Sequence, residues 1–559
     1  MRRFIFFLAF SRSTVHPIIV NLALVLLGAA LVSNLSAAGL SAGGSTRASN
    51  AATLFAHSPS STQILYDARE IEIQQELLSD GQTTSALALP NEECITFDNG
   101  LTLPVVSRFV MLPPAGGIEL VIDGLESQEI DGFIPQDFSA FEMEIDQPGQ
   151  DHLDRQPGLP AGFWPPQPVV VSRPAIMRGH RLAKIDFFPV QYDAARKKIK
   201  INETAQISLN YSGEGENILH RPDRPRPSKY IDRMVQSLTL NTEAPSRDIG
   251  QKNGAVIYVI GAAQNWDQVR DALQPLLEWR RRMGWQAEFL RVQTPSDAAA
   301  VKREIQAAYD NWEIPPEAIV ICGDTDGNFP IGFFDMRRGA AFAYESDHLF
   351  GLLEGDDILP EASVGRLIYD NIDRLRGIVN KIIQYESSPF IGAGNQVNWQ
   401  LRGAVTATAA RSGRSSIDVC KWSANLLRRN GYNPVNEFFF TANQQEVDPT
   451  NFIQQNFNAG INFFIYRGEA YLNGFRAEYI DQLRNDRMLP FVILATCNTG
   501  DYGEHLMNTI YWTERMIYLS NGGAIGAVGS AGITSSQYNN IMIGGIMRSI
   551  FGLGVKSQG

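Results

Sequence analysis

Cysteine is scarce in this chain. Four occur in 559 residues, at 94, 322, 420 and 497, and no two form a Cys-x-x-Cys pair. That spacing excludes a zinc ribbon and a thioredoxin-type redox motif. Positive charge is also short, with 48 Lys and Arg against 60 Asp and Glu and a net charge of −12. A nucleic-acid binder carries a basic footprint, so no nucleic-acid partner is expected. Beyond the N-terminus no apolar run is long enough to cross a bilayer. Charged residues make up 19% against 44% hydrophobic, which excludes a disordered chain and implies large cores. A complete EF-hand is missing. Asp324-Thr325-Asp326-Gly327-Asn328, with Glu354, Asp356 and Asp357 beyond it, has a calcium-loop flavour but no closing glutamate. A strand-ending turn is the reading preferred over a cation site. The Gly-rich stretch 522–530 enters a strand instead of a strand-to-helix turn, so it is not a nucleotide loop. No cofactor and no metal are expected, and nothing here sets the oligomeric state.

What is present divides the chain. Arg2 and Arg3 precede an apolar run from Ile18 to Val32, interrupted only by Asn21, and small residues follow from Ser36 to Ala42. Residues 1–42 read as a Sec-type signal peptide with candidate cleavage near Ala38 or Ala42, so a secreted or cell-surface location is expected. A retained membrane anchor is the alternative, although the run falls short of the roughly 20 residues of a span. Residues 43–62 are rich in Ser, Ala, Gly and Thr, as in a flexible leader. From 63 to 215 short period-two segments recur, such as Ile118-Glu119-Leu120-Val121-Ile122 and Gln206-Ile207-Ser208-Leu209-Asn210-Tyr211, which predicts an all-β domain. Residues 216–253 carry Arg221-Pro222-Asp223-Arg224-Pro225-Arg226-Pro227 and read as a linker and processing region.

From 254 to 559 the pattern changes to strands alternating with helices. Ala255 to Ile260, Ala287 to Val292 and Ala318 to Cys322 read as strands. Between them lie a helix with the stripe Val269, Leu273, Leu276 and Leu277, and a second helix capped by Ser296. Further strands are expected at 403–408, 437–440, 461–466, 491–496 and 524–528, and further helices at 372–386, 416–429 and 504–519. Such alternation implies an α/β domain, a mostly parallel sheet with helices on both faces. Functional groups of such sheets gather past the carboxyl ends of strands. Two runs end there in small or polar residues: Ile461 to Tyr466, followed by Arg467-Gly468-Glu469-Ala470, and Phe491 to Ala495, followed by Thr496-Cys497-Asn498-Thr499-Gly500-Asp501-Tyr502.

These two runs resemble the active-site strands of the gingipain-type cysteine peptidases of the caspase-like clan. That family reads Tyr-x-Gly-His-Gly on the first and Ala-Cys-x-x-Gly-Asp/Asn-Phe on the second. Tyr466, Gly468, Cys497, Gly500 and Asp501 match, while Ala470 replaces the second glycine, Tyr502 the phenylalanine and Glu469 the catalytic histidine. The resemblance runs from Ala255 to about Ser530 and includes Gly323-Asp324, Ser346-Asp347-His348 and Gly365-Arg366. Residues 188–211 and the run at 103–114 resemble the family's propeptide domain. What the resemblance implies is a caspase/gingipain-like fold, an all-β propeptide-like domain before it, a peptide or protein substrate, and catalytic positions at Cys497, Gly468 and Glu469. It also extends the family's catalytic domain past Gly559, so a C-terminally truncated product or fragment is expected.

The family's acidic supporter of its histidine aligns with Ala410, and the aspartate selecting basic side chains aligns with Ser416. A free thiol has a pKa near ~8.5, and an adjacent imidazolium lowers it. A carboxylate has the opposite effect and cannot readily protonate a leaving amine at neutral pH. His505 and His348 are the nearest substitutes in the motif region, read as a surface or capping residue and a structural loop residue. Arg467, two residues before Glu469, shares its face if the strand persists and is a candidate to pair with it. Three classes therefore compete. They are a cysteine peptidase with an unrecognised base, an inactive pseudopeptidase that binds peptide or protein, and a secretion-linked surface component.

Overall fold

The computed structural model describes residues 51–551 apart from 78–82, 91, 98–100, 134–160, 243–252, 262–264, 337–344, 389, 391–397, 410–411, 441–447, 469–474, 504–510, 533 and 535. The signal expectation and the leader expectation up to residue 50 lie outside this range, but the leader read over 43–62 is corrected from Ala52 on: Ala52–Ser58 and Ser61–Asp67 are paired strands, and Ala52 and Thr62 are buried in the sandwich.

Residues 52–212 build a β-sandwich. One sheet runs Ala52–Ser58, Ser61–Asp67, Lys198–Ser212 and Val190–Asp193, and the long strand Gly117–Asp131 also pairs with Lys198–Ser212. The other runs Glu93–Thr96, Thr102–Met111, His180–Phe187 and Val169–Val171, with Ala175–Met177 beside His180–Phe187. Alternation produces the core directly: Thr62, Ile64 and Tyr66 point inward and their neighbours outward. Ile64, Tyr66, Val106, Val110, Ile185, Phe187 and Ile207 fill the space between the sheets, with the Tyr66 and Phe187 rings stacked at 4.8 Å.

The α/β region contains two parallel sheets. The first has the order Gln286–Val292, Ala255–Gly261, Pro316–Cys322, Ser363–Leu367. The second has the order Val435–Phe440, Gly403–Thr408, Phe463–Arg467, Phe491–Ala495, Gly526–Gly529. Central strands are buried on both faces, as their continuous apolar runs require. One core spans both sheets through Tyr258, Leu273, Ile378, Phe464, Leu494 and Trp512. Helix Trp266–Arg282 buries the expected stripe plus Arg280. Arg280 forms a charge-assisted pair with Glu386, which also accepts from Trp279 Nε1 at 2.7 Å. Asp297, not Ser296, caps helix Ala298–Asn311, accepting from the Ala299 and Ala300 amides. Among the described residues no helix is long and apolar enough to cross a membrane.

The expected linker is not a free tether over its described part. Ser228 caps a helix at Lys229–Leu238, whose Ile231, Met234 and Val235 pack on Phe109, Leu182 and Leu359. Before it, Arg221 pairs with Asp310, Arg226 with Glu354 at 2.5 Å, and Arg224 donates to the Trp312 carbonyl at 3.2 Å. Glu354, Asp356 and Asp357, weighed above as calcium-loop carboxylates, also face this junction. Asp357 accepts from the Ile176 amide and Asn217, and Asp356 pairs with Arg173. Asp324 lies in a separate turn, where its carboxylate accepts from the Thr325 amide at 2.7 Å.

Arg178 ties the β-sandwich to the α/β region. It sits at φ +47° with Gly179 at +80° in the two-residue hairpin joining Ala175–Met177 to His180–Phe187, as a type I′ turn requires. Its guanidinium donates to the carbonyls of Pro316 (2.6 Å), Pro315 (2.9 Å), Glu361 (3.1 Å) and Pro227 (3.1 Å). Pro315, Pro316 and Glu361 lie at or just before the amino ends of strands in the first sheet, the pole opposite the strands' carboxyl ends.

Candidate active site

Strands Phe463–Arg467 and Phe491–Ala495 are parallel neighbours in the second sheet. Arg467 lies opposite Ala495, a separation of 28 in sequence (495 − 467). The same 28 (497 − 469) divides Glu469 from Cys497. Both strands run out on one edge of the domain, so Gly468 and Cys497 stand at adjacent carboxyl ends. Glu469, Ala410 and His505 lie outside the described residues.

Gly468 is fixed by crowding. A Cβ there would stand 2.3 Å from Thr408 Cγ2 and 2.9 Å from the Tyr466 hydroxyl. Cys497 begins the turn after its strand, is only 5% exposed, and forms no disulfide. Its thiol faces Thr534, between strand Gly526–Gly529 and helix Ser536–Phe551. The Thr534 amide donates to Sγ at 3.4 Å, and the S–H donates to the Thr534 carbonyl at 3.5 Å.

The turn beyond is held closely. Asn498 has φ +54°, a left-handed conformation that asparagine tolerates. Thr499 Oγ1 donates to the carbonyls of Leu494 (2.7 Å) and Thr496 (3.0 Å), tying the turn to its own strand. The Gly500 amide donates to the Ser530 carbonyl at 3.0 Å, and a Cβ there would approach the Gly529 carbonyl oxygen to 2.6 Å. Asp501 is buried and accepts from the Gly503 amide.

Arg467 is fully buried and braces the floor of the site. It donates to Asn540 Oδ1 (2.9 Å) and to the carbonyls of Gly468 (2.9 Å), Ser536 (3.1 Å) and Ala495 (3.4 Å). Sequence reasoning assigned it only a pairing with Glu469 and missed this bracing. These acceptors, backbone carbonyls and a side chain 73 residues away, leave no local signal. Ser416 is buried near the start of helix Arg414–Arg429, and its hydroxyl donates back to the Ser412 carbonyl at 3.0 Å. His348 belongs to the other half of the domain. Its Nε2 bonds to the Ile358 carbonyl at 2.9 Å, and burial pushes its pKa down. Cys322 and Cys420 are buried, and burial pushes both thiols up, as suits inert packing groups.

The family model of Peptidase family C25 matches residues 251–559, more than half of the chain. Gingipain R2 of Porphyromonas gingivalis is 23% identical over 358 residues, covering 61% of this chain and 45% of that protein. Lys-gingipain of the same organism is 24% identical over 243 residues, covering 41% of this chain and 13% of that protein. The chain thus spans about half the length of the Gingipain R2 sequences it matches, or less. Among solved structures, the Arg specific cysteine proteinase gingipain R aligns at 21% identity with a TM-score of 0.44, covering 56% of this chain and 76% of that one. The matched segment contains both parallel sheets and the Cys497 turn, and this chain belongs to Peptidase family C25, the gingipain family.

Proposed function

We propose that this chain is an exported gingipain-type homologue that binds peptide or protein through the Cys497 edge of its α/β domain without hydrolysing it. One observation carries the reading. Gly468 and Cys497 end neighbouring parallel strands, and the residue that follows Gly468 in the sequence is Glu469 where the family has histidine. A carboxylate beside a thiol disfavours the thiolate by like-charge repulsion, and it is a poor acid toward a leaving amine at neutral pH. His348 is committed to Ile358 in the other half of the domain. Removing the base of such a site leaves only the weak catalysis of binding and oxyanion contacts.

The reading keeps 1–42 as a signal peptide, shortens the leader to residues before Ala52, where the first strand of the sandwich begins, and keeps the β domain to 215 as propeptide-like, 216–253 as the connecting segment and 254–559 as the peptidase-like domain. A second reading, a working cysteine peptidase, is favoured by one contact: the Thr534 amide aimed at Sγ, a donor that stabilises negative charge on sulfur. Peptide turnover by purified protein decides between them. The pseudopeptidase reading expects binding without turnover. Turnover abolished by Cys497→Ala supports the peptidase.

A further inference from the structure

After Cys497 the chain leaves the second sheet and reaches the first, and the contact it makes there is specific. Tyr502, five residues on, is buried with its ring beneath the Arg366 guanidinium, Cζ lying 5.0 Å from the ring centroid. Phe333 meets the same ring edge-on at 6.1 Å. The Tyr502 carbonyl accepts from Thr325 Oγ1 at 3.0 Å. Gly503 is pressed on Glu345, whose Cγ would lie 2.1 Å from a Cβ at that position.

Arg366 is itself the hub of the first sheet's carboxyl-end loops. It lies on strand Ser363–Leu367 and is 2% exposed. Nε and Nη2 donate to the two Asp347 carboxylate oxygens, each at 2.7 Å. Nη1 donates to the Ile331 carbonyl at 2.9 Å and Nη2 to the Gly332 carbonyl at 3.1 Å. With its edge occupied in this way, the guanidinium offers Tyr502 its flat face. A cleft lined by Asp347, Arg366, Gly500, Tyr502, Glu514 and Gly529 runs beneath the turn. The turn therefore spans a gap, pinned by Gly500 to the second sheet and by Tyr502 to the first.

We propose that Tyr502 and Arg366 are positioning residues, a latch by which the first half of the α/β domain fixes the turn carrying Cys497 and keeps its thiol covered. The importance of the latch rests on Cys497 being the site's nucleophile position, but its existence does not. It is read by alkylating the full chain with iodoacetamide and mapping each cysteine by mass spectrometry. That readout needs no turnover, so failure of the latch and failure of the functional reading are distinguishable.

Tyr502→Leu removes the stacked face. It should speed alkylation of Cys497 about ten-fold, the scale that losing one desolvated cation–π contact allows. Cys322 and Cys420 should not change. Tyr502→Phe keeps the face and should react like wild type. The proposal is overturned if Cys497 is unchanged in Tyr502→Leu, if Cys322 and Cys420 rise in parallel, or if Tyr502→Phe matches Tyr502→Leu. Should Tyr502→Leu not fold, Thr325→Val, which removes only the hydrogen bond to the Tyr502 carbonyl, decides. A rise confined to Cys497 supports the latch, and no change overturns it.

Discussion

Replacing Arg178 with alanine should uncouple the β-sandwich from the α/β domain. The side chain is 2% exposed and donates to four backbone carbonyls, three at or beside the amino ends of strands in the first sheet and one on the Pro-rich segment. Truncation leaves those carbonyls short of a donor inside a buried contact. Each unsatisfied group costs about 1–3 kcal/mol, although water entering the vacated space recovers part of it. Burial disfavours the arginine's charge and sets a ceiling on the net gain. Hydrogen bonds from a charged donor contribute about 1.5–3 kcal/mol, and because removing Arg178 also removes its desolvated charge, a loss of about 3 kcal/mol is expected here. The turn sharpens the test. Arg178 holds φ +47°, which asparagine tolerates better than alanine, so Arg178→Asn should be less damaging by up to about 1 kcal/mol while still emptying the socket. Urea unfolding followed by tryptophan fluorescence, with limited proteolysis in parallel, measures both effects. The Ala variant should unfold in two steps and be cut first between residues 213 and 253. A single transition within about 1 kcal/mol of wild type would refute the assignment of Arg178 as the interdomain anchor.

Other consequences are equally direct. Gly500→Ala places a Cβ 2.6 Å from the Gly529 carbonyl oxygen, so it should cost about 1–3 kcal/mol and lower the melting temperature. An unchanged melting temperature would mean the Cys497 turn is looser than described. Lys381 is buried against the carbonyls of Ile517, Leu519 and Gly522, and burial pushes its pKa down to about 7. Because its ordinary value is about 10.4, the unfolded chain binds more protons between those values. Stability should therefore rise from pH 7 toward 10, by at most about 1.4 kcal/mol per unit from this group. Lys302, pushed down to about 8, adds the same sign. Urea midpoints at pH 7, 8 and 9 should show that rise in wild type and a flatter profile in Lys381→Met, and equal slopes would contradict it.

The sequence revealed those parts of the fold that rest on local hydrophobic pattern. Ala255 to Ile260, Ile461 to Tyr466 and Phe491 to Ala495 are buried on both faces and read as central strands at once. Strand Ser363–Leu367 was not legible as a strand, because it is short and carries Gly365 and Arg366. Helix Ser536–Phe551 escaped notice because asparagines and the Gly544-Gly545 pair interrupt its stripe. Helix Lys229–Leu238 was hidden by the Arg-Pro run before it, which reads as a tether. At the candidate site, the motif residues were legible through family resemblance. The supports of the site were not. Arg467, Arg178 and Arg366 each take backbone carbonyls as partners, and a carbonyl has no residue identity to read.

The central claim is that Cys497 has lost its base. Peptide hydrolysis by wild type, Glu469→His and Glu469→His/Cys497→Ala, with the pH profile of Cys497 alkylation recorded for the first two, tests it most directly. The account predicts no hydrolysis by wild type. It predicts a profile shifted to lower pH in Glu469→His, because an imidazolium favours the thiolate where a carboxylate opposes it. Any activity gained should be weak and lost with Cys497→Ala, since the single change supplies an imidazole without rebuilding whatever would orient it. Wild-type hydrolysis abolished by Cys497→Ala, with an alkylation profile unmoved by Glu469→His, would contradict the account and show that another residue supplies the base.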